Sequence, residues 1–170
     1  MRSSTAGAVG GLIAGVITSG VMLIGRDAGW LKPTLADNAQ DWLDEAFDAR
    51  SRYGDEGTEL IEQAGHYLGS VGLGAAYGAF RPYVPLPGVV SGALFGAGMY
   101  AFGVAGMLPE IGVTKGEPNE EPGVSTQRFV THLLFGAVLG FVSDALNDRR
   151  VKIRRHVERV RHDDGDEAED

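Results

Sequence analysis

The sequence predicts an all-α polytopic membrane protein of four transmembrane helices, arranged as two repeated hairpins, with one further amphipathic helix on the outer surface. Three observations carry this reading. Four runs free of Asp, Glu, Lys and Arg (Ser3–Gly25, Gln63–Phe80, Pro82–Pro109 and Phe129–Ser143) alternate with strongly charged segments. A small residue recurs at every fourth position of each run. The first pair of runs aligns with the second pair at fixed offsets. The averages conceal this segregation, because 44% hydrophobic residues, a mean hydropathy of -0.05 and a net charge of -8 would suit a soluble chain. A soluble Gly/Ala-rich bundle is the alternative, and the 26 glycines weigh against it. Each would cost a water-exposed helix about 1 kcal/mol relative to alanine. The absence of cysteine excludes disulfides, thiolate nucleophiles and Cys-based metal sites.

Spans are expected at about 6–25, 62–80, 87–108 and 129–146. Crossing a bilayer core of about 30 Å takes roughly 20 apolar residues, so the first and third runs suffice alone. The second becomes long enough if Thr58 caps a helix running to Phe80, and the fourth if Phe129 continues through Asp144 to Asn147. A signal peptide is the competing reading of the first span, but no A-x-A type site closes the apolar run before Arg26. Small residues at helical spacing (Gly7, Gly11 and Gly15; Ser70, Gly74 and Gly78; Gly88, Gly92 and Gly96; Gly136 and Gly140) predict close helix packing inside the bundle, with a dimerisation face as the alternative.

The repeat superposes Gly7, Gly11 and Gly15 on Gly88, Gly92 and Gly96, and His66, Leu68, Ser70 and Gly74 on His132, Leu134, Gly136 and Gly140. Two spans per half make it a parallel repeat with a pseudo-twofold axis along the membrane normal. Lysine and arginine set the orientation. Arg2, Arg81 and the cluster from Arg149 to Arg161 place both termini and the middle turn in the cytoplasm. The loop from Arg26 to Glu62, with ten acids against four bases, then faces outward, as does the loop from Glu110 to Gln127; Arg128 is an exception to the pattern.

Within the first outer loop, Leu35, Ala39, Trp42, Leu43, Ala46 and Phe47 share one helical face and Asp37, Asp41, Asp44, Glu45 and Asp48 the other. This predicts an amphipathic helix over about 34–50, lying on lipid or across the bundle mouth. A break is expected from Tyr53 to Gly57. Residues 149–162 read as a basic juxtamembrane cytoplasmic helix and 163–170 as a disordered acidic tail.

Ionisable groups inside spans are costly and are therefore candidates for function. His66 and His132 occupy matching positions at the outer ends of the second and fourth spans, and Asp144 lies near the inner end of the fourth. Two imidazoles could relay protons or sense pH, or simply bond a neighbouring helix; Asp144 could pair with Arg149 or Arg150. Two histidines without further ligands do not make a metal site. No nucleophile elbow, HExxH or phosphate-binding loop is present, so no enzyme, cofactor or metal is expected. The short basic tail, closely followed by acid, does not argue for nucleic acid.

The pattern in which His66 opens a Gly-rich span, a Pro-rich turn Arg81–Pro87 follows, and His132 opens the last span before Asp144 and Arg149-Arg150 resembles the YagU-like family of inner-membrane proteins. The resemblance implies a multi-pass inner-membrane protein and carries no catalytic residues with it. Two functions fit the sequence. One is a small pH-responsive conduit or transporter-like protein with His66 and His132 in an outer vestibule. The other is a non-transporting scaffold or accessory subunit, binding a partner through the acidic outer loop or the tail. Beyond the lipid bilayer, the expected partner is a second copy or another membrane subunit.

Overall fold

A computed structural model describes residues 3–32 and 34–166, with the backbone alone for 149–166. Among them every regular element is helical: α1 (Ser3–Asp27), α2 (Leu35–Phe47), α3 (Ala49–Phe80), α4 (Gly88–Met99), a π-helical stretch (Tyr100–Met107) leading into α5 (Leu108–Glu110), and α6 (Val124–Asp166). Three helices are long and apolar enough to cross a membrane: Ser3–Asp27, Gly88–Glu110 and the Val124–Asp148 part of α6. Residues 62–80 are continuous helix within α3, yet Gln63, His66 and the glycines hold their hydropathy below that of the other three.

The distribution of side chains is the reverse of a water-soluble bundle. The largest fully buried side chains are Leu139, Thr18, Thr58 and Ser143, while Leu12, Val16, Ile24, Leu68, Phe80, Leu94, Phe102 and Phe141 are exposed. In water, large apolar side chains go inside. Hydrocarbon surroundings remove that drive and leave close contact over small residues to hold helices together.

That contact is direct. A Cβ on Gly7 would meet the backbone of Gly74 and Gly78, and one on Gly11 would meet Ser70 and Gly74, so α1 and α3 touch backbone to backbone. Between α4 and α6, a Cβ on Gly92 would meet the Gly136 carbonyl, one on Gly96 the His132 carbonyl, and one on Gly140 the Gly88 carbonyl. Gly15 packs on the Ser70 side chain. The two pairs join where Gly10 of α1 fits against Ser143 and Leu139 of α6, and where the Tyr77 hydroxyl of α3 and Ser91 Oγ of α4 share a hydrogen bond (2.7 Å), both within reach of the Gly88 carbonyl (3.3 and 3.1 Å).

Several boundaries differ from expectation. The amphipathic helix ends at Phe47, not at 50, because Asp48 turns left-handed (φ 51°, ψ 42°) and α3 starts at once. Thr58 does not cap α3 but lies inside it. The expected break narrows to Gly54 (φ 73°, ψ 176°), a conformation suited to glycine, and the Thr58 hydroxyl donates to the Gly54 carbonyl (2.9 Å) just past the kink. At the other end α6 runs through Asp166, since nothing before Gly165 breaks a helix; Arg2 and residues 167–170 lie outside the described residues.

Replacing Gly92 with leucine is expected to destabilise the protein by ~3 kcal/mol, because the side chain must enter the space of the Gly136 backbone. Gly98→Ala, with nothing within 4 Å of the added carbon, should change stability by less than ~0.5 kcal/mol. Denaturation midpoints in micelles, compared for both variants, check the pair.

Candidate functional site: a cavity beneath α2

Helix α2 is fixed across one end of the bundle. Thr34 and Asp37 form a reciprocal capping box, with Thr34 N–H donating to Asp37 Oδ2 (2.6 Å). Trp42 Nε1 donates to the Ile111 carbonyl (2.9 Å), and Gln127 exchanges two hydrogen bonds with the Lys32 backbone (3.1 and 3.3 Å). Both connections that precede the long helices are thereby tied together. The sequence left α2 between lipid and the bundle mouth, and these bonds put it at the mouth.

Under α2 lies a cavity of about 760 Å³. Its floor and walls are Met22, Leu23, Leu73, Met99, Met107, Leu108 and Phe135, its roof Leu35, Ala39 and Leu43. The unequal joints between the helix pairs help explain it. Gly10 and Ser143 are small and let α1 and α6 close together, whereas Tyr77, wedged against Ser91 and Phe95, stands between α3 and α4. Leu139 is consequently sealed in, while Leu73 faces the open space.

His66 and His132 both line this cavity. His132 Nδ1 lies 2.7 Å from the Arg128 carbonyl. A carbonyl only accepts, so the proton sits on Nδ1 and the neutral ring keeps Nε2 as an acceptor. His66 Nε2 is buried without a hydrogen-bond partner.

Sequence reasoning passed over the most buried charge at this end. The Arg128 side chain is 3% exposed, and its Nη1 pairs with Glu117 Oε1 (3.1 Å) and Glu120 Oε1 (2.9 Å), themselves 12% and 13% exposed. Tyr100 donates its hydroxyl to the other Glu117 oxygen (2.9 Å), and with its amide turned to suit its neighbours Asn38 of α2 accepts from Arg128 Nη2 (3.2 Å). Arg128 Nε is left without a partner. The available signal was Arg128's place against the charge rule, ahead of a span and beside a loop holding four glutamates. Burial by itself would raise the Glu117 carboxyl, but Ser125, Tyr100 and Arg128 outweigh it and hold its pKa below the ordinary carboxylate value.

Asp144 is not part of this cavity. Arg81, in the turn after α3, holds it bidentately (Nε–Oδ1 2.8 Å, Nη2–Oδ2 2.7 Å) and also donates to the Val84 carbonyl (2.7 Å). The planar fork matches the carboxylate, and its hydrogen bonds raise the Arg81 pKa further. The partner is thus Arg81, which the folded turn brings to Asp144; the side chains of Arg149 and Arg150 lie outside the described residues.

No family model, curated protein or solved structure matches the chain.

Arg128→Met should cost about 3–5 kcal/mol, since it strands two buried carboxylates, and should speed hydrogen exchange in α2 and lower the denaturation midpoint. The pH dependence follows from Glu117. With its folded pKa below the unfolded value of about 4.3, its contribution is complete above that value and is lost as pH falls through the folded pKa. Denaturation midpoints should therefore drop below about pH 4, and Glu117→Gln should flatten that fall.

Proposed function

We propose that the protein is a four-span inner-membrane protein, made of two parallel hairpins with both termini cytoplasmic, that admits small solutes to an outward-facing, pH-responsive vestibule as a conduit or transporter-like protein. The observation that carries the reading is that one cavity gathers His66 and His132, two imidazoles 66 residues apart in sequence, under a helical cap. Imidazole is the side chain whose ordinary pKa of about 6.5 lets it change charge near neutral pH.

The repeat is supported by where contacts recur. Adding 81 to Gly7 and Gly11 and 66 to Gly74 gives Gly88, Gly92 and Gly140, and the partners correspond. The same offsets carry the Gly10–Ser143 joint onto Ser91 and Tyr77. Residues 62–80 pack along α1 over their length, which supports counting them as the remaining span despite their polarity. The resemblance to the YagU-like family belongs to this proposal, as does the absence of an enzymatic role. The scaffold alternative draws less support, because Asp41 and Asp44 on the acidic face of α2 are already engaged by Arg50.

Proteoliposomes holding the purified chain should show a proton or ion flux that changes between about pH 5 and 8. The double variant His66→Ala, His132→Ala should abolish that dependence. Flux no greater than in empty liposomes, from protein shown to be folded, would overturn the conduit reading in favour of the scaffold.

A further inference from the structure

The cavity beneath α2 has a charge balance that selects among ligands. Its volume, about 760 Å³, lies in the range of sites that enclose drug-sized molecules, which combine apolar walls with a few directed polar groups. The apolar part comes from α1, α3, α6 and the π-helical end of α4 together, so a ligand body would lie against Met22, Leu73, Met99, Met107 and Phe135.

The charged groups facing the space come from four elements. Arg26 of α1 is exposed at its edge; Asp37 belongs to α2, Glu59 and Glu62 to α3, and Arg128 to α6. Arg128 is compensated twice over by Glu117 and Glu120, so its guanidinium offers no net attraction to an anion. Its unpartnered Nε favours an acceptor, but a single donor hydrogen bond is weaker than the repulsion an anion would meet from three carboxylates around a largely apolar space. The His132 ring, fixed by the Arg128 carbonyl, presents Nε2 as an acceptor rather than a donor. Carboxylates and an acceptor imidazole above apolar walls complement a donor head on an apolar body.

We propose that this cavity binds an amphiphilic organic cation, a protonated amine whose ammonium group is held by Glu59 and Glu62 and whose apolar part fills the space below α2. The proposal deepens the vestibule reading by naming the class of solute, and its test reads binding alone, without transport.

Trp42 lines the cavity and supplies the signal. Full-length protein carrying Trp30→Phe is placed in zwitterionic nanodiscs and titrated with octylammonium, octan-1-ol and octanoate, which share one chain and differ in head group; empty discs give the partitioning background. Octylammonium should change Trp42 emission saturably with at least tenfold higher affinity than octanoate. Adding Glu62→Gln should weaken octylammonium at least tenfold and leave octanol unchanged. Because a variant can misfold, salt is the second readout on unaltered cavity residues: raising it from about 20 to 500 mM should weaken octylammonium binding and not octanol binding. Equal or tighter binding of octanoate, no saturable binding of octylammonium, or an affinity indifferent to both Glu62 and salt would overturn the proposal. Saturable amine binding in protein that shows no flux would sink the conduit reading and leave this site standing. Flux without amine binding would do the opposite.

Discussion

Everything else in this molecule depends on helices meeting backbone to backbone, at positions where a single Cβ would not fit. Gly7, Gly11, Gly74 and Gly78 on one side, and Gly88, Gly92, Gly136 and Gly140 on the other, bring α1 to α3 and α4 to α6 with no side chain between them. Such contact contributes through dispersion between many atoms at short range, and it works where hydrocarbon outside supplies no hydrophobic drive. It also concentrates the large apolar side chains on the outside, which is why Leu12, Leu94 and Phe141 are exposed while Ala6, Ala14 and Ser143 are buried. A bundle so tight has room for a cavity only where this pattern is interrupted. The interruption is Tyr77, at the joint between α3 and α4, and the space beyond it is closed over by α2 rather than by further glycines.

The two ends of the bundle are held differently, and the difference follows from the charges available. At the turn after α3 a single bidentate pair, Arg81 with Asp144, joins the turn to α6. At the opposite end the bonds form a network in which Arg128 is the centre, Glu117 and Glu120 come from the second loop, Tyr100 from the π-helical stretch and Asn38 from α2. A buried arginine surrounded in this way stabilises less through its attraction than through the penalty of removing any one member. The network therefore acts mainly as a constraint on where α2 sits, and α2 in turn decides whether the cavity is covered.

How much of this was legible in the sequence depends on whether the determining residues were close together along the chain. The α2 helix could be read from Leu35, Ala39 and Leu43, because amphipathic spacing is local. The glycine packing positions were legible for the same reason, through helical spacing alone. Partners were not. Asp144 gained a bond to Arg81, 63 residues away, which no local pattern announces, whereas its neighbours Arg149 and Arg150 were the natural local guess. The end of α2 was misjudged by a few residues because Asp48 in a left-handed turn leaves little mark on a sequence, and Thr58 looked like a cap because the kink that matters is at Gly54, four residues earlier. The cavity was invisible for a further reason: it depends on which of the two joints between the helix pairs carries the larger residue.

That last point bears on the histidines. Their placement at matching positions suggested equivalent surroundings, yet the surroundings differ in kind. His132 is fixed by the carbonyl of Arg128 and belongs to the charged network through it, whereas His66 is placed on α3, beyond that network, with a buried Nε2 that has no partner. An exchange of charge at His132 would act on a ring whose orientation is already set and whose neighbour holds the cap; at His66 it would act on the helix that bears Glu59 and Glu62. The two histidines thus sit in different surroundings, His132 beside Arg128 and His66 on the helix of Glu59 and Glu62, just as the two joints between the helix pairs differ, with Tyr77 at one and Ser143 at the other.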